Sequence, residues 1–516
     1  MDEKLIENVV KRRHPEYDEQ KPHWNFCELS YRGGREYITA GNVFRYFKEG
    51  GKDYADRLKR TYRANHTKRV VDTVNLHLFR NPPQRSDELA NDAVKKFWLD
   101  PRGDDKGDIN AFMKSVDQWL SVYGIIYIVV DNTPFVGESE ADAQDASKPY
   151  AYILPPQRLL DVSFDQKGEI VWATVAEDRR EAEDPFTSSG DVKCDVRLWM
   201  KNEWYLFSEE EQPTAGKGNS KWVLRDSGIN KLGVVPIVPV MSEEGTDFSA
   251  PALVGDIVYM DRAVVNYGSA LDEIIYGQTF SQLAIPASGV LPGSTGYNHA
   301  MSASRNRAFL YSTADGSNAK PEYIAPDASQ AQLIIGAMQV LMRNIYSVTG
   351  TDNEANSQSM SKGKEYASGV VRAFDYSAIE NLLVNKANAL CKVEIKIAKL
   401  VGRYAGAKDL TEEEEIGLVA YPQDFDIQGL ESDLATTKAL SEVEGPTGLI
   451  RQSMRQVADK MTTRLSGPDR EKIKSEIDGW QPAPEYKREQ DKQNLEIKQK
   501  QAEKPAPVAA KTVAKK

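Results

Sequence analysis

The chain has 516 residues, 77 of them acidic and 66 basic, for a net charge of −11, and its 40% hydrophobic and 28% charged content is that of an ordinary soluble protein. Single cores rarely grow past about 250–300 residues, so several subdomains are expected, and no run of about 18 apolar residues is present to span a bilayer. An acidic chain does not grip nucleic acid over its whole surface, because that affinity comes from Lys and Arg neutralising phosphates; it does not exclude a wall past which a polyanion slides.

Residues 1–13 are charged throughout and lack the apolar core of a signal peptide, so secretion is not expected. Cys27, Cys194 and Cys391 are odd in number and far apart, which fits unpaired thiols in a reducing compartment. Up to about residue 100 the pattern is helical. Residues 40–61 place Phe44, Phe47, Tyr54 and Leu58 on one side, and 66–79 carry Val70, Val71, Val74, Leu76 and Leu78 before Asn81-Pro82-Pro83 ends the helix. Residues 87–99 and 108–122 predict a second helical pair. After Gly124, the run from Ile125 to Val130 is β-rich and closes on Asp131-Asn132.

Between 150 and 240 the pattern changes to short β-type runs at 150–154, 170–176, 196–199, 204–207, 221–224 and 234–240, which defines an α+β body. Asp165-Gln166-Lys167-Gly168 supplies the side-chain bond and permissive backbone of a hairpin turn. The polar stretches 138–148 and 209–220 read as exposed loops.

Two long amphipathic segments follow, 251–277 and 327–350. Leu253, Ile257, Met260, Val264, Leu271 and Ile275 recur at helical spacing in the first, as do Ile334, Met338, Leu341, Ile345 and Val348 in the second. At 1.5 Å per residue these helices would be roughly 35–40 Å long, enough for the wall of a channel if copies stood around an axis. On spacing alone, a plain helical hairpin inside one globular core is the alternative. Residues 279–323, with Ile285-Pro286, Pro292-Gly293, Phe309-Leu310-Tyr311 and Asp315-Gly316, predict a compact strand-and-turn unit. The stretch 351–359 has no large apolar residue and is expected to be a mobile loop. Helix resumes from Met360, with an apolar set running from Tyr366 through Ile379, Leu383, Leu390 and Ile397 to Leu400. The region 430–480 is again helical, and from about 481 disorder or a frayed charged helix is expected.

No phosphate-binding Gly-x-x-x-x-Gly-Lys-Ser/Thr loop is present. The five histidines form neither a His-Glu-x-x-His motif nor a zinc cluster, so neither a metal nor a cofactor is expected. Asp100, Asp104, Asp105 and Asp108 lack the ligand order of a calcium loop and leave an acidic turn. Glu412 to Glu415 read as the solvated first turn of a helix capped by Thr411. Without a carboxylate/histidine grouping no enzyme is expected, a DNA-processing nuclease being the alternative of another class.

This layout resembles the portal proteins of tailed bacteriophages, which form the ring at the special vertex of the head. The likeness is carried by loose motifs: Tyr31-Arg32-Gly33-Gly34-Arg35-Glu36-Tyr37, Phe47-Lys48-Glu49, Tyr54-Ala55-Asp56-Arg57-Leu58, Leu78-Phe79-Arg80-Asn81-Pro82 and Tyr152-Ile153-Leu154-Pro155-Pro156. It implies an α+β, mainly helical architecture around a ring axis. The parts would be a wing (1–250), a first stem helix (251–278), a clip (279–325), a second stem helix (326–350) and a tunnel loop (351–359). A long helix returning to the wing (360–429), a crown (430–480) and a disordered charged tail (481–516) would follow.

The family implies a homo-oligomeric ring of twelve subunits in the virion, assembled in the host cytoplasm, through which double-stranded DNA is packaged and ejected. Its implied partners are terminase, head–tail adaptor proteins and the major capsid and scaffold proteins, with no membrane. Under the resemblance Thr351, Asp352, Asn353, Glu354, Asn356, Ser357 and Gln358 form the channel-facing loop. Lys362 and Lys364 just beyond it are candidate phosphate contacts or a solvated helix start. Leu253, Ile257, Met260, Val264, Leu271, Ile334, Met338, Leu341 and Ile345 would pack the stem. Another ring-forming head–tail adaptor or tail component is the alternative. The Lys-rich segment 511–516 has no fixed family counterpart and reads as a solvated tail or as a contact to DNA or scaffold.

Overall fold

The computed structural model describes residues 2–47, 49–132, 148–180, 186, 190–211, 220–279, 282–286, 295, 309–311, 320, 322–324, 328–348, 369–423, 425, 437–438, 447–461 and 467–479. Its two compact units are Met1–Phe425 and Asp426–Lys516.

The first unit is α+β. Its helical part comprises α1 (Glu3–Lys11), α2 (Tyr17–Arg32), α3 (Gly51–Arg60), α4 (His66–Leu78), α5 (Asp92–Leu99) and α6 (Ile109–Tyr123). Side-chain caps set three of the starts: Asn65 accepts from Lys68 N, Asn91 from Val94 N and Asp108 from Ala111 N. The single helix expected over 40–61 is instead a kinked turn at Ile38–Asn42, an extended stretch and α3. Gly41, at φ 84°, breaks the first part, and Phe47 points into solvent at 99% exposure, so no continuous apolar face forms there.

Strand β1 (Gln84–Arg85) pairs antiparallel with β13 (Val419–Ala420). β2 (Ile125–Asn132) lies between β3 (Pro149–Leu154) and β9 (Ile237–Met241), antiparallel to both. Its first six residues are all buried, as expected of a strand covered on two faces: α6 packs against it, and so does α9 (Gly369–Tyr404). A five-stranded antiparallel meander follows, running from β4 (Leu159–Phe164) through β5 (Ile170–Arg180), β6 (Val192–Met200) and β7 (Glu203–Glu211) to β8 (Ser220–Ile229). The β4–β5 turn has the anticipated chemistry: Asp165 accepts from Lys167 N and Glu169 N, and Gly168 sits at φ 77°. Strand β4, where Leu160, Val162 and Phe164 alternate with Asp161 and Ser163, was not anticipated; its pairing carries a register shift between Leu159 and Asp161.

Helix α7 (Ile257–Thr279) starts later than residue 251, since Pro251 and the turn that follows it hold Val254 N to Ser121 O. It leads into β10 (Gln282–Pro286), which pairs parallel with β11 (Phe309–Tyr311) and antiparallel with β12 (Glu322–Ile324). Helix α8 (Ala328–Val348) follows. Along α9, Ile379, Leu383, Leu390, Val393, Ile397 and Leu400 are buried as their spacing predicts. Buried charges fix the same helix. Lys386 Nζ donates to Asp117 Oδ1 and to Ser121 Oγ at 2.7 Å each, and Glu394 accepts from Arg85 Nε at 2.5 Å and from Tyr421 Oη at 2.8 Å. Helix α10 (Glu412–Leu418) carries the expected cap as a full capping box between Thr411 and Glu414.

The second unit contains α11 (Thr447–Met461) and α12 (Gly467–Gly479), which pack on each other and bury Ile450 and Val457.

Candidate functional site: the α7–α8 hairpin

The two long helices form one antiparallel pair. Ile257 near the start of α7 shares a core cluster with Ile345 and Tyr346 near the end of α8, and a Cβ placed at Gly268 would lie 3.7 Å from the Met338 methyl. The Gln282–Ile324 pairing of β10 with β12 closes the opposite end. At 1.5 Å per residue the helices are about 34 and 31 Å long.

Among the described residues, the buried side chains of the pair gather at one end. Ile257, Val258, Val264 and Val265 are buried on α7, as are Ile345 and Tyr346 on α8, and the contacts run to Val70 on α4. Beyond Ser269 no residue of α7 is buried, and on α8 none between Ser329 and Asn344 is.

Most of the residues named for stem packing lie in or around the hairpin base. Ile257, Val264 and Ile345 pack inside the hairpin base, with Leu253, Met260, Met338 and Leu341 half-buried around them; Leu253 sits in the turn before α7. Leu271 and Ile334 are half-buried farther out. The clustered side chains therefore join the two helices of one chain. The exposed apolar positions are different ones: Leu333, Ile335, Val340 and Val348 on α8, and Tyr267 and Ile275 on α7. A further stripe on α8, made of Gln332, Gly336, Gln339, Arg343 and Ser347, recurs every three to four residues, is exposed, and carries a single charge. It points away from the Ile334, Met338, Leu341 and Ile345 ridge that meets α7.

Sequence reasoning missed a row of polar anchors on α7. Asp261, Ser269 and Glu273 recur at spacings of eight and four residues on the face turned towards residues 42–63. Asp261 Oδ2 accepts from Arg63 at 2.5 Å, from Thr67 Oγ1 at 2.7 Å and from Thr67 N at 3.1 Å. One turn out, Asn266 Nδ2 donates to Asn42 O and its Oδ1 accepts from Phe44 N. Arg57 is 1% exposed; it donates to both Glu49 oxygens at 2.7 Å, to Phe44 O at 2.7 Å and to Ser269 Oγ at 2.9 Å, over the Tyr46 ring at 4.0 Å. The Arg57 hydrogen bond holds the Glu49 carboxyl below its usual range. Arg60 then meets Glu273 and lies 4.8 Å from the Tyr276 ring. The only sequence signal for this row was the i, i+8, i+12 recurrence.

His66 fastens the other helix. Its Nδ1 lies 2.8 Å from Tyr346 Oη, edge-on to that ring, and burial lowers its pKa. His23 stacks on Tyr259 with Nδ1 3.1 Å from the hydroxyl, and burial shifts it the same way. Among the described residues no group of His, Cys, Asp and Glu is arranged to hold a metal ion, and no helix is long and apolar enough to cross a membrane. The tunnel-loop residues and both Lys362 and Lys364 lie outside the described residues.

No family model and no protein of curated function matches the chain. Among solved structures, it is similar to a chain of the virion of a native gene transfer agent particle, with a TM-score of 0.37 and 11% identity over 80% of this chain and 94% of that one. It is also similar to a chain from the neck of an empty gene transfer agent particle, at 0.34 and 13% over 87% and 99%. A likeness this distant assigns neither a family nor a role.

Proposed function

We propose that the chain is the subunit of a portal-type ring, a structural protein of a phage-like virion that forms the DNA channel at a capsid vertex and the platform for a packaging motor and head–tail connectors. The observation that carries this reading is the hairpin itself. Buried ions and hydrogen bonds fix its base, while its outer half leaves apolar faces uncovered on two helices that cannot be membrane spans. Apolar faces of this kind need a protein partner, and a second copy of the same chain supplies one wherever copies stand around an axis. In such a ring Leu333 and Val340 seal against the neighbouring copy. The nearly uncharged Gln332, Gln339, Arg343 and Ser347 stripe then faces the bore, where weak and replaceable contacts let a duplex slide.

The test is electron microscopy of the purified protein. End-on views with twelvefold symmetry and a central hole are expected; solitary particles, or rings without a hole, overturn the reading.

A further inference from the structure

The exposed carboxylates of α10 are not used by the hairpin, and neither is a basic groove elsewhere on the first unit. The groove, of about 530 Å³, lies between α1–α2 and the five-stranded sheet. Val10, Leu160, Val196 and Trp222 give it apolar walls, and Arg13, Lys21, Arg32 and Arg158 outnumber the one lining carboxylate, Glu28. Arg32 is neutralised by Glu28 and Arg158 by Asp178. Arg13 and Lys21 meet no carboxylate among the described residues; their cations flank the Tyr17 ring at 5.8 and 5.0 Å. The groove thus offers two uncompensated positive charges over an apolar lining.

Helix α10 carries the complementary charge. Ile416 is 79% exposed although it sits on a short capped helix whose next residues, Leu418 and Val419, are core. Glu412 and Glu413 beside it are exposed and make no ion pair among the described residues, in contrast to Glu414, which closes the capping box, and Glu415, which meets Lys399. Asp87 and Glu88, held close by Ser86 N bonding to Leu418 O, extend the acidic surface. Packing runs from α2 to α6, from α6 to α9, from α9 to β13 and from β13 to α10, so groove and knob are built from different elements of the first unit. Two distinct complementary surfaces on one chain can meet head to tail between copies, the kind of contact that closes rings.

We infer that the α10 knob of one copy seats in the α1–α2 groove of the next, with Ile416 on the apolar wall and Glu412 and Glu413 against Arg13 and Lys21. This rests on the ring reading above and names the contact between neighbours in it. Cys194, which lines the groove and is exposed, gives a direct probe.

The experiment is carried out on the full chain. Ile416→Cys treated with diamide should give a ladder of disulfide-linked oligomers on non-reducing gels, absent from wild type and abolished by adding Cys194→Ser. Glu412→Lys with Glu413→Lys should weaken ring formation by roughly tenfold or more, as like charges across an interface do. So should Arg13→Glu with Lys21→Glu, and the four substitutions together should restore it. If wild type forms rings with a bore but no Cys194-dependent ladder appears and the charge reversals assemble normally, this contact is wrong and the ring stands. If wild type forms no ring, both readings fall.

Discussion

Arg63 and Asp261, 198 positions apart in sequence, meet in the seam between α7 and the start of α4 with side-chain exposures of 3% and 0%, and the same Asp261 oxygen takes both Thr67 donors. The pair is thus the pin that sets the hairpin on the body. Removing one member strands the other charge in the interior, which costs about 3–5 kcal/mol, whereas replacing both by apolar groups of similar volume is far milder. Asp261→Ala should lower unfolding free energy by about that amount in urea titration, and Arg63→Met with Asp261→Leu by clearly less. A single substitution within about 0.5 kcal/mol of wild type would contradict the assignment.

Uncovered and covered apolar residues on the hairpin should separate cleanly. Val340 is 54% exposed and Val264 is 6% exposed, one turned outward and the other into the base. Val340→Glu should leave the stability of the isolated chain within about 0.5 kcal/mol and still abolish ring formation, read by mass photometry. Val264→Asp buries a charge without a partner, so the chain itself should lose several kcal/mol. Assembly by Val340→Glu at wild-type concentration would place the neighbour elsewhere.

Periodicity revealed both helices and their packing ridge, and it revealed β2 because every residue from Ile125 to Val130 is apolar. The Thr411 cap of α10 was readable for a local reason, since the capping residue directly precedes the acidic first turn; its reciprocal bond to Glu414 was not anticipated. What stayed hidden is non-local. Asp261 and Lys386 look like solvated helix residues, and only the fold brings Asp261 to Arg63 and Lys386 to Asp117, 269 positions away. Neighbouring positions such as Leu333 and Ile334 are both apolar, and a stripe of one helix cannot say which side its own chain will cover. Leu333 is 76% exposed and Ile334 is half-buried.

Acid should loosen the hairpin base through His66. Burial is the main cause of its lowered pKa, with Arg63 and Arg69 adding to it and Asp261 opposing. Below the ordinary value of 6.5 the unfolded chain takes up a proton that the folded chain resists. The unfolded state then binds more protons, so the contribution is fully present above about 6.5 and is lost as pH drops from there towards the lowered value. His23 contributes in the same direction. Melting temperature should therefore decline between pH 7 and pH 5, and His66→Gln should flatten part of that decline. An unchanged slope in the variant would assign the acid sensitivity to other groups.

Gly124 tests whether the hairpin's approach to the body is fixed by backbone contact. It ends α6 at φ 79°, a conformation that a side chain disfavours, and a Cβ there would lie 2.1 Å from Ala250 O and 2.7 Å from Pro251 O, in the strand-to-helix connection that launches α7. Gly168 has nearly the same φ, 77°, and a Cβ added to it would meet nothing within 4 Å. Gly168→Ala therefore measures the conformational cost alone, about 1–2 kcal/mol. Gly124→Ala adds the collision with backbone that cannot swing aside, so it should cost at least about 2 kcal/mol more and shift the denaturation midpoint accordingly. Equal losses at the two positions would mean that residues 250–251 move freely, and that the turn before α7 does not determine where the hairpin stands.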